Sequence, residues 1–148
     1  MKLFGAGKLP PELAAAAEQG PLLVAEQIKL RAGGEMRTPG RMTSGFSAMH
    51  GGGVVILPGR VLASFARYVI IDDQLGAAAP AEPATRCSIA ADGVRVAIDI
   101  ARVIPGGTGQ VDIEWRVPIG PDVLAALPTH EWQGTLATAD PQLMLRRI

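Results

Sequence analysis

A chain of 148 residues, 48% of them hydrophobic, fits one domain with a core of its own and needs no disulfide or metal to hold it. Its 14 lysines and arginines balance 14 aspartates and glutamates, which argues against non-specific nucleic-acid binding, a process driven by excess positive charge. Cys87 is the single cysteine, so a disulfide framework is excluded. No apolar run approaches the roughly 18 residues of a membrane helix, and the N-terminus lacks the roughly 7–15 apolar residues of a signal peptide. A cytoplasmic protein without a transmembrane segment is the expectation.

Pro10-Pro11-Glu12-Leu13 opens a short helix over residues 10–20. Proline is tolerated in a first turn, where its missing N–H is not needed. Glu12 suits the positive end of the helix dipole, and Ala14 to Ala17 are strong helix formers. Gly20-Pro21 stops it. Residues 22–31 then read as a strand. Leu22, Val24, Ile28 and Leu30 share one face; Ala25, Gln27, Lys29 and Arg31 share the other. Glu26 is an exception on the apolar side.

Residues 32–41 hold Gly33-Gly34 and Pro39-Gly40 and read as a loop. A second strand over 43–50 is interrupted by Gly51-Gly52-Gly53, as a turn or a bulge, before a third over 54–57. Pro58-Gly59 is a tight turn: proline presets φ at the second position, and glycine permits positive φ at the third. A fourth strand spans 61–66, and a short one at 68–71 ends at Asp72-Asp73. Residues 74–86, broken by Pro80 and Pro83, form a loop.

Ser88, Ile89 and Ala90 make another strand, and Asp92-Gly93 is the strongest hairpin signal in the chain. Val94, Val96, Ile98 and Ile100 alternate with Arg95, Ala97, Asp99 and Ala101. After the Gly106-Gly107-Thr108-Gly109 turn, Val111, Ile113, Trp115 and Val117 alternate with Asp112, Glu114 and Arg116. A second helix over 121–127 ends at Pro128. In the tail, 129–148, Asp140-Pro141 suits an N-cap and first-turn proline for a last helical turn, with a terminal strand as the alternative.

The predicted fold is mainly β with short helices in one domain, 1–148. A meander over 22–117, of about seven antiparallel strands, forms a partly open barrel or sandwich capped by the 121–127 helix. This order resembles the pleckstrin-homology-like superfold, including GRAM-type and bacterial members. Ile56-Leu57-Pro58-Gly59-Arg60-Val61-Leu62-Ala63-Ser64 is similar to a turn-and-strand pattern in bacterial members, and Val69-Ile70-Ile71-Asp72-Asp73-Gln74-Leu75 to the piece that follows it. The chain also resembles uncharacterised actinobacterial proteins with an N-terminal KLPPEL and a similar meander. The resemblance implies a fold, and fold alone does not fix function.

Candidate chemistry is sparse. Gly5-Ala6-Gly7-Lys8 is an incomplete phosphate loop, because Leu9-Pro10 follows the lysine where a helix should open. His50 and His130, with Cys87, show no metal-ligand spacing, so no metal or cofactor is expected. Asp72 and Asp73 are adjacent, so on a strand they face opposite ways. Asp112 and Glu114 share a polar strand face. No acid–base pair or activated nucleophile can be assembled, and the chain reads as not an enzyme.

The one patch of interest is Lys29, Arg31, Arg37 and Arg41, near the loop where phosphoinositide-binding pleckstrin-homology domains carry basic residues. The first expectation is a non-catalytic binding or assembly module, acting on an unknown protein partner or as a homo-oligomer through a sheet edge or barrel end. The alternative is a small-ligand or anionic lipid-headgroup binder using residues 29–41.

Overall fold

A computed structural model describes residues 9–147; the Gly5-Ala6-Gly7-Lys8 motif lies outside them. Helix α1 (Pro11–Ala16) leads into β1 (Leu23–Thr38), β2 (Arg41–Leu57), β3 (Arg60–Phe65) and β4 (Tyr68–Gln74). Strands β5 (Thr85–Ala90) and β6 (Gly93–Asp99), helix α2 (Ile100–Val103) and strand β7 (Thr108–Arg116) follow. Helix α3 (Pro121–Ala125), strand β8 (Glu131–Gly134) and helix α4 (Pro141–Arg147) complete the order. The eight strands among the described residues form one antiparallel sheet in the order β4-β3-β2-β1-β7-β6-β5-β8, curled into a nearly closed barrel.

The barrel interior is aliphatic. Leu30, Ala32, Val54, Ile56, Val61, Ile71, Val94, Val96, Ile98 and Ile113 all face it and are buried. Trp115 is fully buried, and its indole N–H donates to the Ser64 carbonyl at 2.9 Å, tying β7 to β3. A second cluster lies outside the barrel wall. There α1 covers Val55, Leu57 and Leu62 with Leu9, Leu13, Ala16 and Ala17. The run Val54-Val55-Ile56-Leu57 is continuous rather than alternating because this part of β2 is buried on both faces.

The largest departure from the sequence reading is the long hairpin β1–β2. Residues 32–41 are not a loop, and Gly51-Gly52-Gly53 is the bulge of the two expected alternatives, not a turn, so it does not divide two strands. From Leu30↔Met49 pairing runs without a break to Thr38↔Arg41, and the turn is Pro39-Gly40 alone. Gly40 has φ +77, the value that position needs after proline. The glycines mark crowding. A Cβ on Gly33 would collide with the Phe46 ring, and one on Gly34, at φ +126, with the Gln110 carbonyl.

Two bulges interrupt this hairpin. Between Ala25 and Ile28, β1 carries one extra residue, with Gln27 at φ +54; opposite Ile28 to Leu30, β2 carries one extra, with Gly51 at φ +105. The inward face of β1 therefore changes from odd to even numbers. Leu23 and Ala25 face the barrel before the bulge, Ile28 and Leu30 after it, while Val24 faces the α1 cluster instead of the barrel. Glu26 sits in the bulge; both its carboxylate oxygens are shielded and have no hydrogen-bond partner among the described residues.

Smaller corrections follow the same logic. The Pro58-Gly59 turn joins β2 to β3 as expected, but Gly59 does not take a positive φ. The Asp92-Gly93 hairpin is present with Ala91-Asp92 as its loop, and Gly93, at φ +141, is already paired with Ala90. Strand β4 continues through Asp72 and Asp73 to Gln74. Ile100 is not in a strand: Asp99 caps α2 by accepting from the Ala101 N–H at 3.2 Å, and Ile100 stays buried. The tail holds a strand, β8, ahead of the last helix expected at Asp140-Pro141. Asp140 caps α4, its Oδ1 accepting from the Leu143 N–H at 3.1 Å, and Met144 and Leu145 are buried against the barrel.

Candidate functional site

Two places in the sheet hold the candidate side chains: a closed seam and an open edge. The seam lies where the sheet nearly meets itself, between β4 and β8. Asp72 points outward and pairs with Arg60, whose Nε and Nη2 donate to the two carboxylate oxygens at 2.8 and 3.0 Å. Asp73 points to the seam, where Trp132 Nε1 donates to its Oδ2 at 2.8 Å. Cys87 lies beside it, with Sγ 3.9 Å from Asp73 Oδ2 and 3.6 Å from Thr85 Oγ1. A Cβ on Gly134 would collide with the Asp73 carboxyl, so only glycine lets β8 approach so closely.

The electrostatics of this seam oppose nucleophilic chemistry. Burial, reinforced by the Asp73 carboxylate, pushes the Cys87 thiol up to about 12. A reactive cysteine needs the opposite shift. Burial also raises the Asp73 carboxyl above the usual range, against the opposing hydrogen bond from Trp132. Neither histidine belongs to the seam. His50 is on the exposed part of β2, and His130 Nε2 is 2.7 Å from the Leu124 carbonyl. Among the described residues, no group of three His, Cys, Asp or Glu side chains is placed to hold a metal ion. No helix among them is long and apolar enough to cross a membrane.

The open edge is the far half of β2. Strand β3 pairs with β2 only from Gly52 to Leu57. Residues 41–50 therefore have β1 on one side and, among the described residues, no strand on the other. Their even-numbered side chains share the outer face with Lys29, Arg31, Gly33, Glu35 and Arg37 of β1, because the inner face of β1 belongs to Leu30, Ala32 and Met36. Phe46 lies on that face 73% exposed, with Met42 at 57%. The Phe46 ring packs over Gly33, and the Arg31 guanidinium stands 4.9 Å from its centroid.

The four basic residues singled out in the sequence do not converge. Lys29, Arg31 and Arg37 follow one another along the outer face of β1, and Arg41 begins β2 after the turn. Lys29 and Arg37 are eight residues apart on a strand, roughly 26 Å at about 3.3 Å per residue. Acids are interleaved with them: Glu35 on β1 itself and Glu114, opposite Arg31 on β7. Arg41 instead borders a hollow of about 390 Å³ between the hairpin tip and α4, with Arg146, Thr38, Met36, Ile104 and Leu145. The sequence reading missed the edge because it took residues 32–41 for a loop. The available signal was the absence of charge from Met42 to Met49, flanked by Arg41 and His50. Comparison of the chain with protein-family models, with curated proteins and with solved structures finds no match.

Proposed function

We propose that this protein is a non-catalytic binding or assembly module that works by adding a partner strand to the open edge of β2. The observation that carries this reading is the unpaired stretch 41–50, on which Phe46 and Met42 are the exposed large hydrophobic side chains among the described residues. Unpaired strand N–H and C=O groups are a template for another strand. Proteins that leave such an edge without a partner usually blunt it with charge, proline or a covering element. From Met42 to Met49 there is no charged residue and no proline. Main-chain bonds supply affinity in this mode, and alternate side chains supply selectivity.

Membership of the pleckstrin-homology-like superfold belongs to the same proposal. Support comes from seven meander strands followed by α3; β8 and α4 are additions to that plan. A cytoplasmic setting fits a chain whose one cysteine is free and buried.

The test is a titration of isotope-labelled protein, kept dilute, with a library of extended decapeptides, read by amide chemical shifts. Shifts confined to residues 41–50 and abolished by Phe46→Lys are the expected result. Peptides that bind but shift only other amides overturn the reading.

A second reading, an anionic-ligand or lipid-headgroup binder, draws on the hollow beside Arg41 and Arg146, whose lining among the described residues includes no carboxylate. Flotation with anionic vesicles checks it. Arg41→Ala with Arg146→Ala should reduce binding, and unchanged flotation would sink the idea.

A further inference from the structure

We infer that the hollow beside Arg41 and Arg146 takes an amphiphile: a carboxylate whose unbranched acyl chain lies between α4 and the inner face of the β1–β2 hairpin. This rests on the anionic-ligand reading above and names the ligand class. The hollow of about 390 Å³ does not stop at the two arginines. It adjoins a second, of about 100 Å³, and Met36, Thr43 and Leu145 line both. The first hollow carries the charge, with Thr38 and Gln142 as further hydrogen-bond donors. Neither Arg41 nor Arg146 has an ion-pair partner among the described residues. A guanidinium with free donors grips a carboxylate bidentately. The second hollow carries no charged side chain. Joined, the two have the polarity of an anion with an apolar tail.

The second hollow is a slot left by side chains that are small or missing. On the inner face Ser47 lies opposite Ala32 and Gly45 opposite Gly34, and these residues floor it. A Cβ on Gly45 would meet no atom within 4 Å. Gly34 cannot be larger, since a Cβ there would strike the Gln110 carbonyl. Leu145 of α4 and Val111 of β7 form the apolar wall. Strand β3 pairs with β2 only from Gly52, so no strand among the described residues closes the barrel beside 41–50, and the slot is reached from that side. From Thr43 to Ser47 is four residues, about 13 Å of strand. A volume of about 100 Å³ drawn out over that length admits one unbranched chain of roughly eight carbons and no ring. Each methylene taken out of water there strengthens binding, by about fourfold where burial is complete.

The experiment titrates the isotope-labelled full chain with acetate, butyrate, hexanoate and octanoate, and with inorganic phosphate, read by amide chemical shifts. Octanoate should shift residues of both hollows, Met36, Thr43, Ser47 and Leu145 among them. Its affinity should exceed that of butyrate by at least about tenfold, at roughly two- to fourfold per methylene. Arg41→Ala with Arg146→Ala should weaken octanoate by at least about tenfold. Ser47→Trp places a ring in the slot from an exposed position; it should erase the dependence on chain length and leave phosphate binding unchanged. All three positions are exposed, so the fold is retained, and thermal melting checks it. If phosphate and acetate bind beside Arg41 as tightly as octanoate, the anionic-ligand reading stands and the acyl chain falls. If the double-arginine variant binds octanoate as the wild type does, both fall. Octanoate that shifts neither hollow, or a chain-length dependence that Ser47→Trp leaves intact, overturns the inference.

Discussion

The indole N–H of Trp132 donates to Oδ2 of Asp73 at 2.8 Å, joining β8 to β4, the two ends of the sheet. A barrel that is not closed by backbone pairing along its full length is closed here by a side-chain bond. Beside it, the Ala137 N–H donates to the Ile70 carbonyl at 3.1 Å.

The burial of Asp73 at this bond gives stability a pH signature. Burial raises the folded-state pKa of Asp73 above its ordinary 3.8, so the native chain holds that proton more tightly than the unfolded chain. The contribution is full below the ordinary value and is lost as pH rises through the raised one. Asparagine at this position keeps an oxygen for Trp132 and carries no charge. The melting temperature of Asp73→Asn, relative to wild type, should therefore climb as pH rises from about 4 toward neutrality. A constant difference across that range would contradict the assignment.

Cys87 should be inert in the native chain. With its thiol pushed up to about 12, roughly one part in ten thousand is thiolate at about pH 8. Thiol reagents at that pH should label it only after denaturant is added. Native labelling as fast as that of free cysteine would contradict the buried seam.

Two turn glycines should respond in opposite ways to alanine. Gly93 has φ +141, and a Cβ there would fall on the Trp115 carbonyl oxygen, so Gly93→Ala should cost at least about 2 kcal/mol. Gly59 has no positive φ and open space around it. Gly59→Ala should be neutral or stabilising by up to about 1 kcal/mol, by restricting the unfolded chain. Denaturant midpoints measure both; equal losses would show that the Pro58-Gly59 turn needs glycine after all.

Helix α4 should act as part of the core. Met144 is fully buried within the main cluster. Met144→Ala should cost about 2–5 kcal/mol, whereas the same change at Gln142, which is exposed, should cost under about 0.5 kcal/mol. Urea unfolding distinguishes a docked helix from a loose tail, for which both losses would be small.

The meander was legible where side chains alternate. Val94 to Ile98 and Val111 to Val117 carry period two because one face meets the core and the other meets water. The mainly β architecture followed from those runs and from the turns between them. The long hairpin was illegible because glycine reports two different things. At Gly40 it reports a turn; at Gly33 and Gly34 it reports a neighbouring ring and a neighbouring carbonyl, which lie far away in sequence. Strand β8 is four residues long, too short for periodicity to speak. The opposite facing of Asp72 and Asp73 was readable from adjacency alone, but the partners Arg60 and Trp132 were not. The basic residues were readable as residues and not as a site, because their spacing along a strand depends on the hairpin that was missed.

The paired bulges at Gln27 and Gly51 have a consequence for the whole far end of the hairpin. Each shifts its strand by one residue, and together they keep β1 and β2 in phase. Without Gln27, Ala25 and Ile28 would stand two residues apart on a regular strand and both would still face the barrel; without Gly51 the same holds for Gly52 and Met49. Each extra residue is absorbed where it sits, and the outward facing of Phe46 and Arg31 does not depend on it. The extra residues instead bend and twist both strands at one level, which sets the direction in which the far end of the hairpin leaves the part of β2 that β3 covers.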